Sequence, residues 1–249
     1  MSPIHLTRII LLSSCLALAA CGGGPLGGSA SNAGVSLHLA RAAHSSGDLV
    51  SALQLYADLD DGTAKDPSLL IERADTMLEA AHYDDAVETY SRAVPTSAAL
   101  AAWLGLVRAH TALGEPDIAL KAADQALAMA PKEARVLVNR GVVLDSLERH
   151  AEAQDSYRAA LLLAPRSVAA RNNLGLSLAL SGDYKQAIAL LAPLARNAAA
   201  TPKIRENLAL AYGLSGDAER AAMVSRVDLD EPNTSANLDF FARVRTSSR

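Results

Sequence analysis

The two cysteines, Cys15 and Cys21, carry the most reactive side chains in this sequence of 249 residues. Both lie near the N-terminus, so the chain that follows Cys21 contains no thiol. Disulfide bonds, thiolate metal sites and cysteine nucleophiles are therefore excluded for that part of the protein. Thiol chemistry is confined to the N-terminal segment.

Other residues that could hold a metal or perform catalysis are scattered along the sequence. The histidines form no metal-binding pair at helical spacing: His5, His38, His44, His82, His110 and His150. The acidic run at 58–62 has its glycine one position too early for a calcium loop, and Leu69 stands where the closing glutamate is needed. No glycine-rich phosphate loop follows a strand. We therefore expect no enzyme activity, no cofactor, no metal and no small-molecule substrate.

An apolar run at residues 9–20 precedes Cys21. A membrane-spanning helix needs about 20 apolar residues, so this run is too short to span a bilayer. It follows a weakly basic start that includes Arg8, and it has the length of the apolar region of a secretory signal. The sequence therefore predicts export from the cytoplasm.

The residues that end this run resemble the lipobox of bacterial lipoproteins: Leu18, Ala19, Ala20 and Cys21. The resemblance implies that residues 1–20 are a signal peptide, that the Cys21 thiol accepts the lipid, and that the chain is cut just before it. Gly22, in place of an aspartate, implies the outer membrane. The alternative is an ordinary secretory signal with a cysteine at this place.

Composition favours a helical body behind a short spacer. Residues 21–32 are rich in glycine and serine, which predicts a flexible spacer next to the lipidated cysteine. The sequence is 50% hydrophobic but only 4% aromatic, which favours helices that pack through small residues over a β-sandwich or barrel. Its formal net charge of −4 gives no electrostatic reason to expect a nucleic-acid partner.

Small residues recur every 33 or 34 positions through the remaining chain. One register consists of alanines: Ala52, Ala86, Ala119, Ala153, Ala187 and Ala221. A second register has one exception, Val107, among small residues: Ala40, Ala74, Gly141, Gly175 and Ala209. Glycines keep the same period: Gly47, Gly114, Gly182 and Gly216. Three registers with one period predict a structural unit that is repeated along the chain.

Each period contains two amphipathic segments joined by a short turn, which predicts a pair of helices. Small residues at the crossing points let two helix backbones approach closely, and Tyr56, Tyr90 and Tyr157 fill the space beside them. Glycine supplies the conformation that ends the first helix. Asp66 and Thr201 each precede a proline, so we expect both to cap a helix.

These features resemble the tetratricopeptide repeat. The resemblance implies an all-α helical solenoid of six repeats within residues 33–224: 33–66, 67–99, 100–133, 134–167, 168–201 and 202–224. In such a solenoid the first helices line a concave face. Proteins of this class recognise peptides or partner proteins, so the resemblance implies a binding function.

The C-terminal third, residues 173–241, resembles the TadD lipoproteins of the Flp (tight adherence, Tad) pilus. The resemblance rests on an ordered set of motifs: Leu191-Ala192-Pro193-Leu194, Val227-Asp228-Leu229, Asn237-Leu238 and Phe240-Phe241. The final pair departs from the tyrosines of that family. The resemblance implies a periplasm-facing outer-membrane lipoprotein that assists pilus assembly as a pilotin for the secretin channel. The alternatives are a general envelope protein-binding scaffold and a regulatory subunit of a cell-wall enzyme.

Asn139, Asn173 and Asn207 are 34 residues apart and fall in the first helices of three successive repeats. Equal placement puts them on one line along the concave face, where their amides could donate to and accept from an extended peptide. The alternative is that these amides satisfy polar groups of the neighbouring repeat.

Four further polar residues lie near this line: Arg171, Asn172, Lys203 and Arg205. They could form a basic end of the groove that suits an acidic peptide or a C-terminal carboxylate. The alternative is that they are solvated surface charges.

Residues 225–249, the tail, are predicted to form a loop, a capping helix and a short C-terminal segment. Thr234 or Ser235 is expected to cap that helix, and its apolar residues are expected to cover the last repeat or bind a partner: Leu238, Phe240, Phe241 and Val244. Pro193 lies within the second helix of the repeat 168–201, where it predicts either a kink in that helix or its early stop.

Overall fold

The computed structural model describes residues 29–59 and 66–247. Over these ranges the chain forms 13 helices and no strand, which confirms the all-α prediction. The helices are α1 (Ser29–Ser45), α2 (Leu49–Leu59), α3 (Pro67–Glu79), α4 (Tyr83–Ala93), α5 (Ala99–Ala112), α6 (Pro116–Met129), α7 (Ala134–Ser146), α8 (His150–Leu163), α9 (Val168–Leu180), α10 (Tyr184–Ala195), α11 (Pro202–Ser215), α12 (Ala218–Ser225) and α13 (Glu231–Ser247).

The first twelve helices pair in chain order into six hairpins, one for each repeat, and α13 follows the last hairpin. We call the first helix of each hairpin the A helix and the second the B helix. Helix α1 begins at Ser29, inside the spacer predicted for residues 21–32, so residues 29–32 are helical. The glycine-rich part of that segment ends at Gly28, and no glycine or proline opposes a helix in the four residues that follow.

The repeating small residues lie where the helices cross. All six alanines of the first register are fully buried, as are Tyr56, Tyr90 and Tyr157. A Cβ atom at Gly141 would lie 2.5 Å from Cε1 of Tyr157, so the tyrosine ring rests directly on the backbone of α7. The sequence-based assignment of small and large positions is therefore confirmed by the packing.

Contacts between helices of neighbouring repeats differ for the two layers. The A helices pack against each other in the pairs α3–α5, α5–α7, α7–α9 and α9–α11. In the described part of the chain, the B helices do not pack against one another in this way. The A helices therefore line the inner, concave side of the solenoid.

The turns inside the hairpins require a left-handed backbone. Gly47, Gly114, Gly182 and Gly216 have φ between 74° and 94°, as the glycine register predicts. At the equivalent places of the second and fourth hairpins, Ala81 (φ 60°) and Glu148 (φ 58°) adopt this conformation instead. A residue with a Cβ atom is strained there by roughly 1–2 kcal/mol.

The helix boundaries correct two sequence-based details. Asp66 caps α3 by accepting from the Ser68 amide, as predicted, but the Thr201 side chain makes no capping bond. Helix α10 continues through Pro193 to Ala195, so the prediction of an early stop there is wrong.

The predicted cap of the last helix is also wrong. Helix α13 begins at Glu231, and the Asp230 carboxylate accepts from the Asn233 amide at 3.0 Å. Thr234, expected as the cap, is buried inside the helix instead. An aspartate followed two residues later by Pro232 is itself a helix-start signal, which the sequence-based prediction overlooked.

We expect Glu148→Gly to raise the free energy of unfolding by about 1 kcal/mol, because glycine removes the left-handed strain at a partial cost in unfolded-state entropy. The Glu148 side chain is exposed, so its removal sacrifices no core packing. Urea denaturation measures the change, and Gly182→Ala is the matched control, expected to lower stability. A Glu148→Gly variant that is less stable than the wild type contradicts the prediction.

Candidate functional site

Ion pairs bridge neighbouring A helices on the inner face of the first three repeats. Arg41 on α1 donates from Nε and Nη2 to the Glu72 carboxylate on α3, at 2.8 and 2.6 Å. The hydrogen bond from Arg41 lowers the pKa of Glu72. Arg108 on α5 donates from Nη2 to Asp75 on α3 at 2.5 Å. The inner face is thus a charged surface whose groups are fixed by partners on the next helix.

Asp75 also anchors a buried tyrosine. The Tyr90 hydroxyl donates to Asp75 Oδ1 at 2.5 Å, and Arg108 Nη2 lies 3.2 Å from the Tyr90 oxygen. Burial, and next the hydrogen bond to Asp75, raise the pKa of Tyr90. Burial alone would lower the pKa of Arg108, but the neighbouring Tyr90 and Asp75 oxygens raise it. The guanidinium is therefore a permanent positive charge held at one place in the groove.

Three cavities, of about 360, 380 and 420 Å³, open along the inner face of the described helices, and the one of about 420 Å³ is formed by α3, α5 and α7. Its lining combines apolar and charged residues: Ile71, Asp75, Ala101, Leu104, Arg108, Arg135 and Asn139. We call it the α3–α5–α7 cavity. The Arg135 side chain is 64% exposed, and its nearest carboxylate, that of Glu133, is 3.9 Å away. Two guanidinium groups beside an apolar wall suit a peptide segment that carries a carboxylate.

The three asparagines of the predicted line have different environments. Asn139 is half-buried, and its amide donates to the backbone oxygen of Arg135 at 2.8 Å. Asn173 is also half-buried and accepts from Asn172 at 3.3 Å. Asn207 is only 3% exposed and donates to Asn172 at 3.0 Å. Asn172 and Asn207 thus link α9 to α11, while Asn139 and Asn173 keep part of their surface open. Ligand binding by these amides stays a prediction.

The residues of the predicted basic end are mostly engaged by the protein itself. Arg171 donates to the Pro165 carbonyl at 2.5 Å. Arg205 donates from Nε and Nη2 to the two oxygens of Asp228, at 2.6 and 2.5 Å. Lys203 is 71% exposed, and its ammonium lies 3.5 Å from Glu206. Of the three basic groups, the ammonium of Lys203 is the one that faces solvent.

The Arg205–Asp228 pair gives the Asp-Leu motif of the tail a structural role. The pair fastens the α12–α13 loop to α11, the A helix of the last repeat. The sequence alone did not indicate that Asp228 is the partner of Arg205. Helix α13 then packs against α11 and α12, and residues of α11 and α13 line the cavity of about 380 Å³: Lys203, Glu206, Asn207, Leu210, Asn233, Asn237, Phe240 and Phe241.

One cluster contains the residue types of a hydrolase site. The Ser177 hydroxyl donates to Asp145 Oδ1 at 2.6 Å, and His150 Nδ1 lies 2.8 Å from the same oxygen. Tyr157 donates to Asp145 Oδ2 at 2.9 Å. An activated serine needs histidine between the hydroxyl and the carboxylate. Here the carboxylate stands between the two, so this cluster joins helices and does not activate Ser177.

The predicted signal peptide and lipobox, including Cys21, lie outside the described residues. Within the described ranges, no helix has both the length and the apolar character to cross a bilayer. Over the same ranges, no group of three or more histidine, cysteine or acidic side chains could hold a metal ion.

Comparison with known proteins supports the repeat assignment. A family model for the tetratricopeptide repeat matches residues 104–161 and 144–202. The Thermus thermophilus repeat protein TTC0263 superposes with a TM-score of 0.61 and 24% identity over 72% of this chain and 98% of its own. A chain of the APC/C hetero-tetramer Cut9–Hcn1 superposes with a TM-score of 0.71 and 18% identity over 84% of this chain and 42% of its own. These identities establish the fold alone, that of a tetratricopeptide-repeat solenoid.

A sequence relative comes from Sinorhizobium fredii (strain NBRC 101917 / NGR234). It is the uncharacterized protein y4yS, which is 38% identical over 81 residues. The match covers 32% of this chain and 44% of the relative, so this chain spans less than half of that protein.

We expect Asp228→Asn to loosen α13, because the asparagine cannot keep the charged, two-point contact with Arg205. Amide hydrogen exchange of residues 231–246 should become several-fold faster at neutral pH. Asp239→Asn, the same change at an exposed position of α13, is the matched control and should leave exchange unchanged.

The effect has a defined pH dependence. The hydrogen bond from Arg205 holds the pKa of Asp228 below its ordinary value of 3.8. A depressed pKa means that the charged group stabilises the fold above pH 3.8 and that this contribution is lost as the pH falls through the folded-state value. The difference in amide exchange rate between the wild type and Asp228→Asn should therefore vanish in acid. A difference in exchange rate that does not decrease as the pH falls below 3.8 contradicts this account.

Proposed function

We propose that this protein is a non-catalytic, lipid-anchored scaffold whose inner groove binds a segment of a partner protein. The observation that carries the proposal is the α3–α5–α7 cavity, where Arg108 is fixed by Asp75 and Arg135 projects into solvent. A groove of this kind presents fixed charge for binding. The fold is one that generally serves protein–protein interaction.

The lining of the cavity indicates the chemistry of the bound segment. Arg135 would pair with an acidic side chain or a C-terminal carboxylate, because its own nearest carboxylate is 3.9 Å away. The Asn139 oxygen is free to accept a backbone N–H, because the bond to Arg135 uses only its amino group. Ile71 and Leu104 would contact an aliphatic side chain. We therefore propose an extended acidic segment with apolar neighbours as the ligand.

The cellular role that we propose is assembly of the Flp (Tad) pilus, with the protein acting as a pilotin for the secretin. Support comes from the sequence: the lipobox that ends at Cys21 and the motif order that closes with Phe240-Phe241. Lipid attachment at Cys21 would place the protein on the periplasmic face of the outer membrane. Tethering raises the effective concentration of a partner in the same membrane, so a modest groove contact would suffice.

A deletion strain complemented with variants tests the proposal. We expect detergent-resistant secretin multimers and surface pili to be lost on deletion, restored by the wild type, and low with Cys21→Ala because the protein is misplaced. Arg135→Glu should reduce multimers several-fold by opposing an acidic segment. Arg158→Glu, the same reversal on the outer surface of α8, is the matched control.

The outcomes separate the parts of the proposal. Normal multimers without pili would remove the pilotin role and place the protein later in assembly. Normal multimers and normal pili would remove the pilus assignment and leave a general envelope scaffold or a regulator of a cell-wall enzyme. Equal amounts of secretin multimers with Arg135→Glu and Arg158→Glu would contradict the α3–α5–α7 cavity as the binding site.

A further inference from the structure

One long edge of the solenoid is acidic, and the other is basic over three consecutive turns. Each hairpin has its A-to-B turn on one edge and its exit turn on the other, because successive hairpins stack in the same direction. We call these the A-to-B edge and the B-to-A edge. The B-to-A edge borders the groove proposed above as the protein-binding site and shares Arg135 with it.

The A-to-B edge is acidic, and local helix physics explains much of its charge. Acidic residues recur in and beside its turns: Asp48, Asp84, Asp85, Glu115, Asp117, Glu148, Glu152, Asp183, Asp217 and Glu219. Asp48, Asp183 and Asp217 accept backbone N–H bonds at the start of α2, α10 and α12. Negative charge is favourable at a helix N-terminus, so this edge needs no ligand to account for it.

The B-to-A edge is basic over three consecutive turns, residues 129–135, 162–171 and 195–203. These segments contain six basic residues and a single acidic one, Glu133: Lys132, Arg135, Arg166, Arg171, Arg196 and Lys203. Within the described part of the chain, Lys132, Arg166 and Arg196 are exposed and form no ion pair. Lys132 and Arg166 are 34 residues apart, so they occupy equivalent places in adjacent repeats.

Exposed apolar side chains lie among these charges. Leu162 is 85% exposed, and Met129, Leu163 and Val168 are about half exposed. Met129 and Leu163 are also 34 residues apart, so the repeat places them side by side, each near a basic residue. The edge therefore combines exposed apolar side chains with three positive charges that lack an ionic partner among the described residues.

The preference of helix ends for particular charges does not explain all of these basic and apolar residues. Positive charge is favourable after the end of a B helix, which suits Lys132, Arg166 and Arg196. However, Arg135 and Lys203 lie in the first turn of α7 and α11, where positive charge is unfavourable. Leu162 contributes almost nothing to the core, because it is nearly as exposed as in an unfolded chain.

We propose that the B-to-A edge docks on a membrane surface that contains anionic lipids. Basic side chains would contact the headgroups, while Met129, Leu162 and Leu163 would enter the interface between headgroups and acyl chains. The basic side chains of the three turns are long and flexible, as are Met129, Leu162 and Leu163, and the turns contain no aromatic anchor. Such a surface suits a fluid membrane better than a shaped protein partner. If Cys21 is acylated, docking would fix the orientation of a protein already at the membrane. The docking itself depends on residues 129–203 and does not require the lipid.

Tryptophan reporters on the two edges of the full chain test this proposal. Leu162→Trp marks the B-to-A edge, and Val50→Trp, at a position 81% exposed in the first turn of α2, marks the A-to-B edge. Trp103 contributes the same background to both variants. Each protein, purified in detergent, is added to vesicles with brominated acyl chains, composed of phosphatidylethanolamine and phosphatidylglycerol or of phosphatidylcholine alone.

We expect bromine to quench the tryptophan at position 162 at least about twofold more than that at position 50 in the anionic vesicles, and this difference to fall at high salt. The double variant Lys132→Glu/Arg166→Glu, with its fold checked by circular dichroism, should abolish the difference. Lys132→Gln/Arg166→Gln should reduce it without reversing the charge. An adsorbed chain needs no acylation to give this result, so a failure of the lipoprotein assignment would leave it intact.

Three results would overturn the proposal. Equal quenching at the two positions would mean that the protein has no preferred edge at the membrane. Quenching that does not depend on lipid charge or salt concentration would mean that an N-terminal anchor alone holds the protein at the membrane. A change in the emission of the Leu162→Trp variant without vesicles, together with larger particles in light scattering, would mean that a second copy of the chain covers this edge.

Discussion

The close approach of A and B helices is the constraint on which the rest of this structure depends. A Cβ atom at Gly105 would lie 2.2 Å from the Tyr90 ring, and one at Gly175 would lie 2.6 Å from Leu191. At these crossings the large side chain of a B helix packs on bare backbone of an A helix. Most side chains there are too small to fill space themselves, so a tyrosine or leucine from the partner must do so. The same contact ends the solenoid, because Phe241 of α13 packs on Gly213 of α11 as a B-helix residue would.

This packing also determines the chemistry of the inner face. A tyrosine that lies across the hairpin has its ring in the core and its hydroxyl at the surface of an A helix. The Tyr90 hydroxyl therefore reaches Asp75, and Asp75 in turn holds Arg108 at the α3–α5–α7 cavity. Removing the ring would create a void and would also release the carboxylate that positions the guanidinium. In this region the fold and the groove charge are one interaction network.

The sequence predicted what repeats locally and missed what depends on distant partners. The period located the helix pairs, the buried alanines and the glycine turns, since each follows from residues a few positions apart. It could not show that Arg205 is paired with Asp228, 23 residues later, or that Asn207 is bound to Asn172, 35 residues earlier. Arg108 stands where no neighbouring residue in sequence signals an ionic partner, because its carboxylate lies one repeat away. Such contacts arise from stacking, which a single repeat does not contain.

Arg135 belongs both to the α3–α5–α7 cavity and to the basic B-to-A edge. The two proposed surfaces therefore share one positive charge, although they face different partners. A carboxylate bound in the cavity would neutralise that charge and weaken the attraction of the edge for anionic lipids. By thermodynamic linkage, a membrane that engages Arg135 must weaken the cavity for an acidic segment by the same factor. Groove binding and edge docking would then be antagonistic, so a protein held at the membrane by its edge would release a partner more readily than one held by the lipid alone.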